Sequence, residues 1–281
     1  MADPSFVRKF RRAQKHLSDL NRLVSDYVAG KPYLVAEQKD DETLRCTWTI
    51  TLTQTVPDGV AEVAGDCLHN LRSVLDHWVE EFSVAQAGQP VQGAGFPVRP
   101  DELHWNPSPA GRKDDGPQAI RKLPDSVKAV IKSYQPFETD PAWKDDIRRG
   151  LLTLHKLDIR DKHKTLNVVA TGYGVIGYGL PDTLSEHPRP ISVFRDVLEP
   201  DTPKTLMVLE FASLHDLKVG VHLDPEIDVV LVENEANRRP VIETLELIMG
   251  NVSWVMEQMT FAFNNPGSPE PLGFYFQPPS E

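Results

Sequence analysis

The stretch "NVVATGYGVIGYG", Asn167–Gly179, is where the chain changes character. It and the segments that follow it, "RPISVFRDVL", "KTLMVLEFA", "LKVGVHL" and "VVLVEN", are short, apolar or alternating, and separated by turn residues. That pattern predicts four to six strands in one mostly antiparallel sheet. Before this point the chain reads mostly as helix. Phe6, Phe10, Ala13, Leu17, Leu20, Val24 and Tyr27 recur at helical spacing, predicting a helix from about Ser5 to Val28 that ends at "AGKP". A second helix opens at "PDGVAEV" and runs to about Ala87; a short one follows in "PDSVKAVIKSYQPF", and a long one in "DPAWKDDIRRGLLTLHKLDIRDKHKTL". Between the first two helices, "YLVAEQ" and "RCTWTITLTQTV" alternate around "KDDET" and predict a β-hairpin, with Trp48, Ile50 and Leu52 on one face. "NRRPVIETLELIMGNVSWVMEQMTFAFNN" predicts a last long helix.

This order of helix, hairpin, helices, sheet, helix is α+β. It predicts a helical bundle with an inserted hairpin over 1–163, a β-sheet region closed by the long C-terminal helix over 164–263, and a proline-rich tail over 264–281. The sheet is expected on or beside the bundle. Gln89–Pro117, dense in proline and glycine, predicts a long loop near the bundle's polar residues, anchored by Phe96 or Trp105.

Bulk properties narrow the function. The net charge of −11 opposes unspecific nucleic-acid binding over the whole surface, although Arg8, Lys9, Arg11, Arg12, Lys15 and Arg22 form a basic block on the first helix. No apolar run reaches the roughly 20 residues of a membrane span, so no membrane partner is expected. The start lacks a secretory apolar region and the two cysteines fit no disulfide framework, which makes the cytoplasm the expected location.

The residues that call for explanation lie in "GDCLHNLRSVLDHW", Gly65–Trp78. At 100° per residue, Ala64, Leu68, Leu71, Leu75, Trp78, Val79 and Phe82 fall in one arc. His69, Arg72 and Asp76 share one flank of it; Asn70, Ser73 and His77 share the other. The helix around Leu151 repeats the pattern, with His155, Asp158 and Lys162 on one face and His163 on the next. Packed together, the two helices would set His69, Arg72 and Asp76 against His155, Asp158 or Lys162. Histidine titrates near neutral pH, arginine holds anions and aspartate orients imidazoles, so the set suits acid–base chemistry or phosphate recognition. It equally suits a buried structural network. His69, Asp76 and His155 would serve zinc only if they converged, and with no HExxH or CxxC spacing neither a metal nor another cofactor is expected. Walker, GxGxxG and GxSxG motifs are absent too, and Cys67 reads as a small buried hydrophobe.

Two resemblances rest on these residues. "GDCLHNLRSVLDH" with "FPV", "YQPF" and "LHKLDIRDKHKTLNVVA" resembles a widespread group of uncharacterised bacterial and phage proteins, which carries no activity with it. Arg72 to His77 is R-x4-H, similar to the motif of HEPN-domain proteins, helical bundles among which are metal-independent ribonucleases of toxin and phage-defence systems. That resemblance implies that Arg72 holds phosphate, that His77 acts as acid or base, and that two copies meet as a homodimer through the 60–87 helix. The expected function is a non-enzymatic binding or regulatory protein with a structural His/Arg/Asp network and an unknown protein or RNA partner. The alternatives are a HEPN-like ribonuclease and a hydrolase of another type.

Overall fold

The computed structural model describes residues 3–102, 105, 116–164, 166–179, 184–193, 196–219, 221–234 and 237–268. The elements in chain order are α1 (Ser5–Ala29), β1 (Tyr33–Asp40), β2 (Arg45–Leu52), α2 (Asp58–Ala87), α3 (Gly116–Ala119), α4 (Asp125–Ser133), α5 (Asp145–His163), β3 (Val168–Gly179), β4 (Arg189–Val193), β5 (Asp196–Val197), β6 (Lys204–Glu210), α6 (Leu214–Val219), β7 (His222–Asn234), β8 (Asn237–Pro240) and α7 (Val241–Asn264). The fold is α+β. Of the expected loop between α2 and α3, residues 103–104 and 106–115 lie outside the described residues, as does the tail from 269 onward.

The chain divides into two compact units. One comprises the described residues of Met1–Leu17, Gly65–Lys164 and Leu245–Glu281, and is helical; the other comprises those of Ser18–Ala64 and Thr165–Thr244, and holds the strands. This division differs from the one expected at residue 164. The cause is the hairpin: β2 pairs antiparallel with β6, Trp48 opposite Met207, so strands from both sides of the chain's helical stretch share one sheet. Strand order in that sheet is β1-β2-β6-β4, and a second four-stranded sheet runs β5-β3-β7-β8. Among the described residues there are thus two antiparallel sheets where one was expected.

The hairpin turn is set locally. The Asp40 carboxylate accepts the amides of Glu42 and Thr43, and Leu44 takes a positive φ of 54°. Strand β2 then alternates cleanly, burying Cys46, Trp48, Ile50 and Leu52 and turning its threonines outward. Two short segments depart from expectation. "NRRP" is strand β8 and not the start of the last helix, because its backbone pairs with Val230–Asn234 of β7. The first residues of "LKVGVHL" belong to α6, not to a strand. There the Ser213 hydroxyl caps the helix by accepting the Asp216 amide at 3.1 Å and donates to the Asp216 carboxylate at 2.8 Å.

In the helical unit, α2 carries the core. Leu68, Leu71, Leu75, Trp78 and Val79 are fully buried, as are Leu245, Ile248, Val252, Val255 and Met259 of α7 and Leu151, Leu154 and Leu157 of α5 to within a few per cent. Apolar residues at i, i+3, i+4 and i+7 make this arrangement possible.

Candidate functional site

Two contacts fix how α2 and α5 meet. Gly65 lies against Asp161, so close that a Cβ at residue 65 would stand 2.5 Å from the carboxylate and force the Asp161 side chain to move. One turn further on, His69 Nδ1 is 3.3 Å from Asp158 Oδ1, while Lys162 Nζ donates to Asp158 Oδ2 at 2.6 Å. The Asp158 side chain is only 4% exposed, so this pairing with His69 and Lys162 is what makes its burial tolerable. The two contacts define an antiparallel register. Extended by one more turn, it sets Arg72 opposite His155.

Arg72 and Asp76, however, turn toward the chain that follows α2. Arg72 Nη2 donates to Asp76 Oδ1 at 3.0 Å and to the Phe96 carbonyl at 2.5 Å, and Asp76 Oδ1 in turn accepts the Phe96 amide at 2.9 Å. The expectation that Asp76 faces α5 therefore gives way to a clamp on a backbone segment. An i, i+4 Arg–Asp pair offers donor and acceptor side by side, matching one residue's C=O and N–H. Phe96 is 1% exposed and Trp105 is tilted against Phe137 with ring centroids 5.8 Å apart, so both aromatic anchors expected in this loop are buried.

The same segment is held from its other side by Gln135, just beyond α4. The Gln135 side chain is fully buried; its Nε2 donates to the carbonyls of Pro97 (2.9 Å) and Ile131 (3.0 Å), and its Oε1 accepts the Arg99 amide at 3.0 Å. One amide thus serves two backbone groups as a neighbouring strand would. Residues 96–99 are thereby fixed against α2 and the end of α4.

Electrostatics follow from this packing. Burial depresses the pKa of the half-buried His155, and the charges of Arg72 and Arg99 depress it further, so the imidazole is neutral at neutral pH. Burial, with Asp158 and Asp66 nearby, raises the pKa of Asp161. Two buried guanidinium nitrogens, Arg72 Nη1 and Arg99 Nε, have no hydrogen-bond partner among the described residues.

The remaining residues are placed apart. Asn70 is buried and donates through Nδ2 to the Asp66 carbonyl at 2.7 Å. His77 Nδ1 is 2.9 Å from the Ser5 hydroxyl at the start of α1, and the Ser5 amide and hydroxyl both donate to Glu81. His163 is exposed on the last turn of α5. Arg72 and His77 point about 140° apart around the helix axis and engage different elements. Among the described residues no group of three or more His, Cys, Asp or Glu is placed to hold a metal ion, and no helix is long and apolar enough to cross a membrane. Burial pushes both thiols up to about 12, with Glu37 reinforcing it at Cys46, and neither is a nucleophile at neutral pH.

Sequence reasoning did not reach Gln135, Arg99, Gly65 or Asp161. The "FP" and "YQPF" pairs were signals for the first: they mark the segment that Gln135 holds and Gln135 itself. Nothing in the sequence marks Arg99. In comparison with known proteins, the chain matches no family model, no curated protein and no solved structure.

Proposed function

We propose that the protein acts by binding, in a regulatory role in a bacterial or phage setting, and not by catalysis, with the His/Arg/Asp network of α2 and α5 serving as a structural frame. The observation that carries this reading is the clamp: Arg72 and Asp76 are both engaged by the backbone of Phe96. In a ribonuclease of the R-x4-H type, Arg72 would reach phosphate beside a histidine, yet here His77 is held at Ser5. A two-fold axis does not easily repair this. Between Gly65 and Ser83 the exposed residues of α2 are Asp66, His69 and Glu80, whereas Arg72 and His77 are only partly exposed, which favours the reading without a two-fold ribonuclease site. The basic residues Arg8, Arg11, Arg12 and Lys15 lie exposed on α1 and supply a surface for an acidic protein or RNA partner.

The test is incubation of the wild type and His77→Ala with single-stranded RNA in EDTA, alongside measurement of mass in solution. Wild type that leaves RNA intact is the expected outcome. Cleavage that disappears in His77→Ala, with the variant still folded, would replace this reading with the ribonuclease.

A further inference from the structure

We propose that the cavity between α4 and the C-terminal end of α7 binds a small amphipathic monocarboxylate, its carboxylate at Lys144 and its hydrocarbon body along α4. The inference goes beyond the reading above, and the site shares no residue with the α2–α5 network.

The first support is room. The cavity measures about 670 Å3, within the roughly 300–1,000 Å3 of small-molecule sites. Every described residue that lines it belongs to the helical unit. Ser126, Ala129, Val130 and Ser133 stand at i, i+3, i+4 and i+7 on α4, so one face of that helix makes one side. Phe261 and Ala262 of α7 add a second, apolar side. The two helices are tied where Ser126 Oγ donates to the Ala262 carbonyl at 3.0 Å.

The second support is a held cation. Lys144, immediately before α5, also lines the cavity and is only 2% exposed to water. Its Nζ donates to Ser133 Oγ at 2.8 Å and lies 4.4 Å from the centroid of the Tyr134 ring and 5.3 Å from that of Trp143. These contacts set the ammonium beside Ser133 in advance, so little ordering remains to be done on binding. Solvent screens a charge so placed only weakly, which strengthens its attraction for an anion in the cavity. The neighbouring Arg148 is committed elsewhere: Asp145 and the carbonyls of Ser133, Asp140 and Pro141 take its N–H groups.

The remaining polar groups set orientation and class. Ser133 Oγ gives its proton to the Val130 carbonyl at 2.8 Å, as Ser126 does to Ala262. Both hydroxyls therefore turn lone pairs outward, which suits an oxyanion poorly and leaves Lys144 as the group that draws it. Ser126 and Ser133 are about 10 Å apart along α4, with Ala129 and Val130 between them. A cation at one end of an apolar span matches a molecule with one charged end. A phosphate dianion would bring a second negative charge into largely apolar surroundings.

The experiment titrates the full-length protein with octanoate, octanol and octyl phosphate, following backbone amides by NMR. Octanoate is expected to shift Ala129, Ser133 and Ala262 saturably, and to bind at least about tenfold tighter than octanol. Lys144→Met keeps the stem's packing and should erase that preference. Should that variant fail to fold, Ala129→Trp decides: Ala129 is exposed, so the fold tolerates the change, and an indole in the cavity should abolish binding of both. Absence of saturable shifts on α4, equal affinity for octanol, or tighter binding of octyl phosphate would overturn the site. So would a preference for octanoate that survives Lys144→Met, or undiminished octanoate binding in Ala129→Trp.

Discussion

Helix α2 makes two seams within the helical unit, and they are built on opposite principles. Toward α7 the seam is aromatic and complete. Trp78 stacks on Phe82 at 4.0 Å between centroids, Phe263 meets both rings edge-on, and the Trp78 indole N–H donates to Thr260 Oγ1 at 2.9 Å. Thr260 passes its own hydrogen to the Met256 carbonyl. Toward α5 the seam is charged and incomplete, with buried Asp158, a lowered His155 pKa, a raised Asp161 pKa and, among the described residues, no acceptor for Arg72 Nη1. A dry aromatic contact yields stability directly, whereas buried ions seldom exceed an apolar replacement in net stability. The contrast teaches that the α2–α7 seam holds the unit together, and that the α2–α5 seam is kept polar for what it positions.

The sharpest way to break the comparison is Trp78→Ala. It should cost about 3–5 kcal/mol in a denaturant titration, since it removes a fully buried ring and its stacking partner's contact together. A loss under about 1 kcal/mol would mean that the aromatic seam is not the mechanical one. Asp76→Ala comes next, at about 1–3 kcal/mol, because it leaves the Phe96 amide and one Arg72 donor unpaired. Its signature should be local: amide exchange at Phe96 should speed up more than exchange in α7.

Asp161→Asn should run the other way. Its folded-state pKa is raised above the unfolded value, so the ionised carboxylate destabilises at neutral pH, and the penalty fades as pH falls through the folded value. The asparagine variant should therefore melt higher than wild type at pH 7, by an amount that shrinks toward pH 4; an equal melting temperature at pH 7 would deny that the seam carries this burden. His155 contributes with opposite sign. Its pKa is lowered on folding, so stability is lost as pH falls from the unfolded histidine value near 6.5 toward the folded one. The smallest effect belongs to His69→Gln. The His69 side chain is 50% exposed and Lys162 still holds Asp158 without it, so its contact with Asp158 should be worth no more than about 1 kcal/mol in thermal unfolding.

How much of this was legible in the sequence depends on what each residue contacts. Side chains that meet other side chains on regular elements can be located by arithmetic. Spacing alone put Trp78 and Leu75 inside, gave α1 and α2 their ends to within about a residue, and set His69 toward Asp158. Side chains that serve a backbone carry no such signature. Asp76 holds Phe96, and Gln135 holds Pro97 and Arg99, through main-chain groups that every residue possesses. The sheets were readable as strands but not as partners. Nothing local in "RCTWTITL" says that its second neighbour is "KTLMVLE", and that pairing decides how the chain divides.

That pairing also orders the birth of the protein. A hairpin alone in water is marginal, and β1 with β2 has only one pairing edge satisfied until Lys204–Glu210 has been synthesised. On the ribosome, the hairpin must therefore wait while the whole helical stretch from Asp58 to His163 is made. Its apolar face, Trp48 and Ile50 among it, stays available to the wrong strand for that interval. Folding should be slow, as it is for topologies dominated by distant contacts, and aggregation during synthesis should begin at β2.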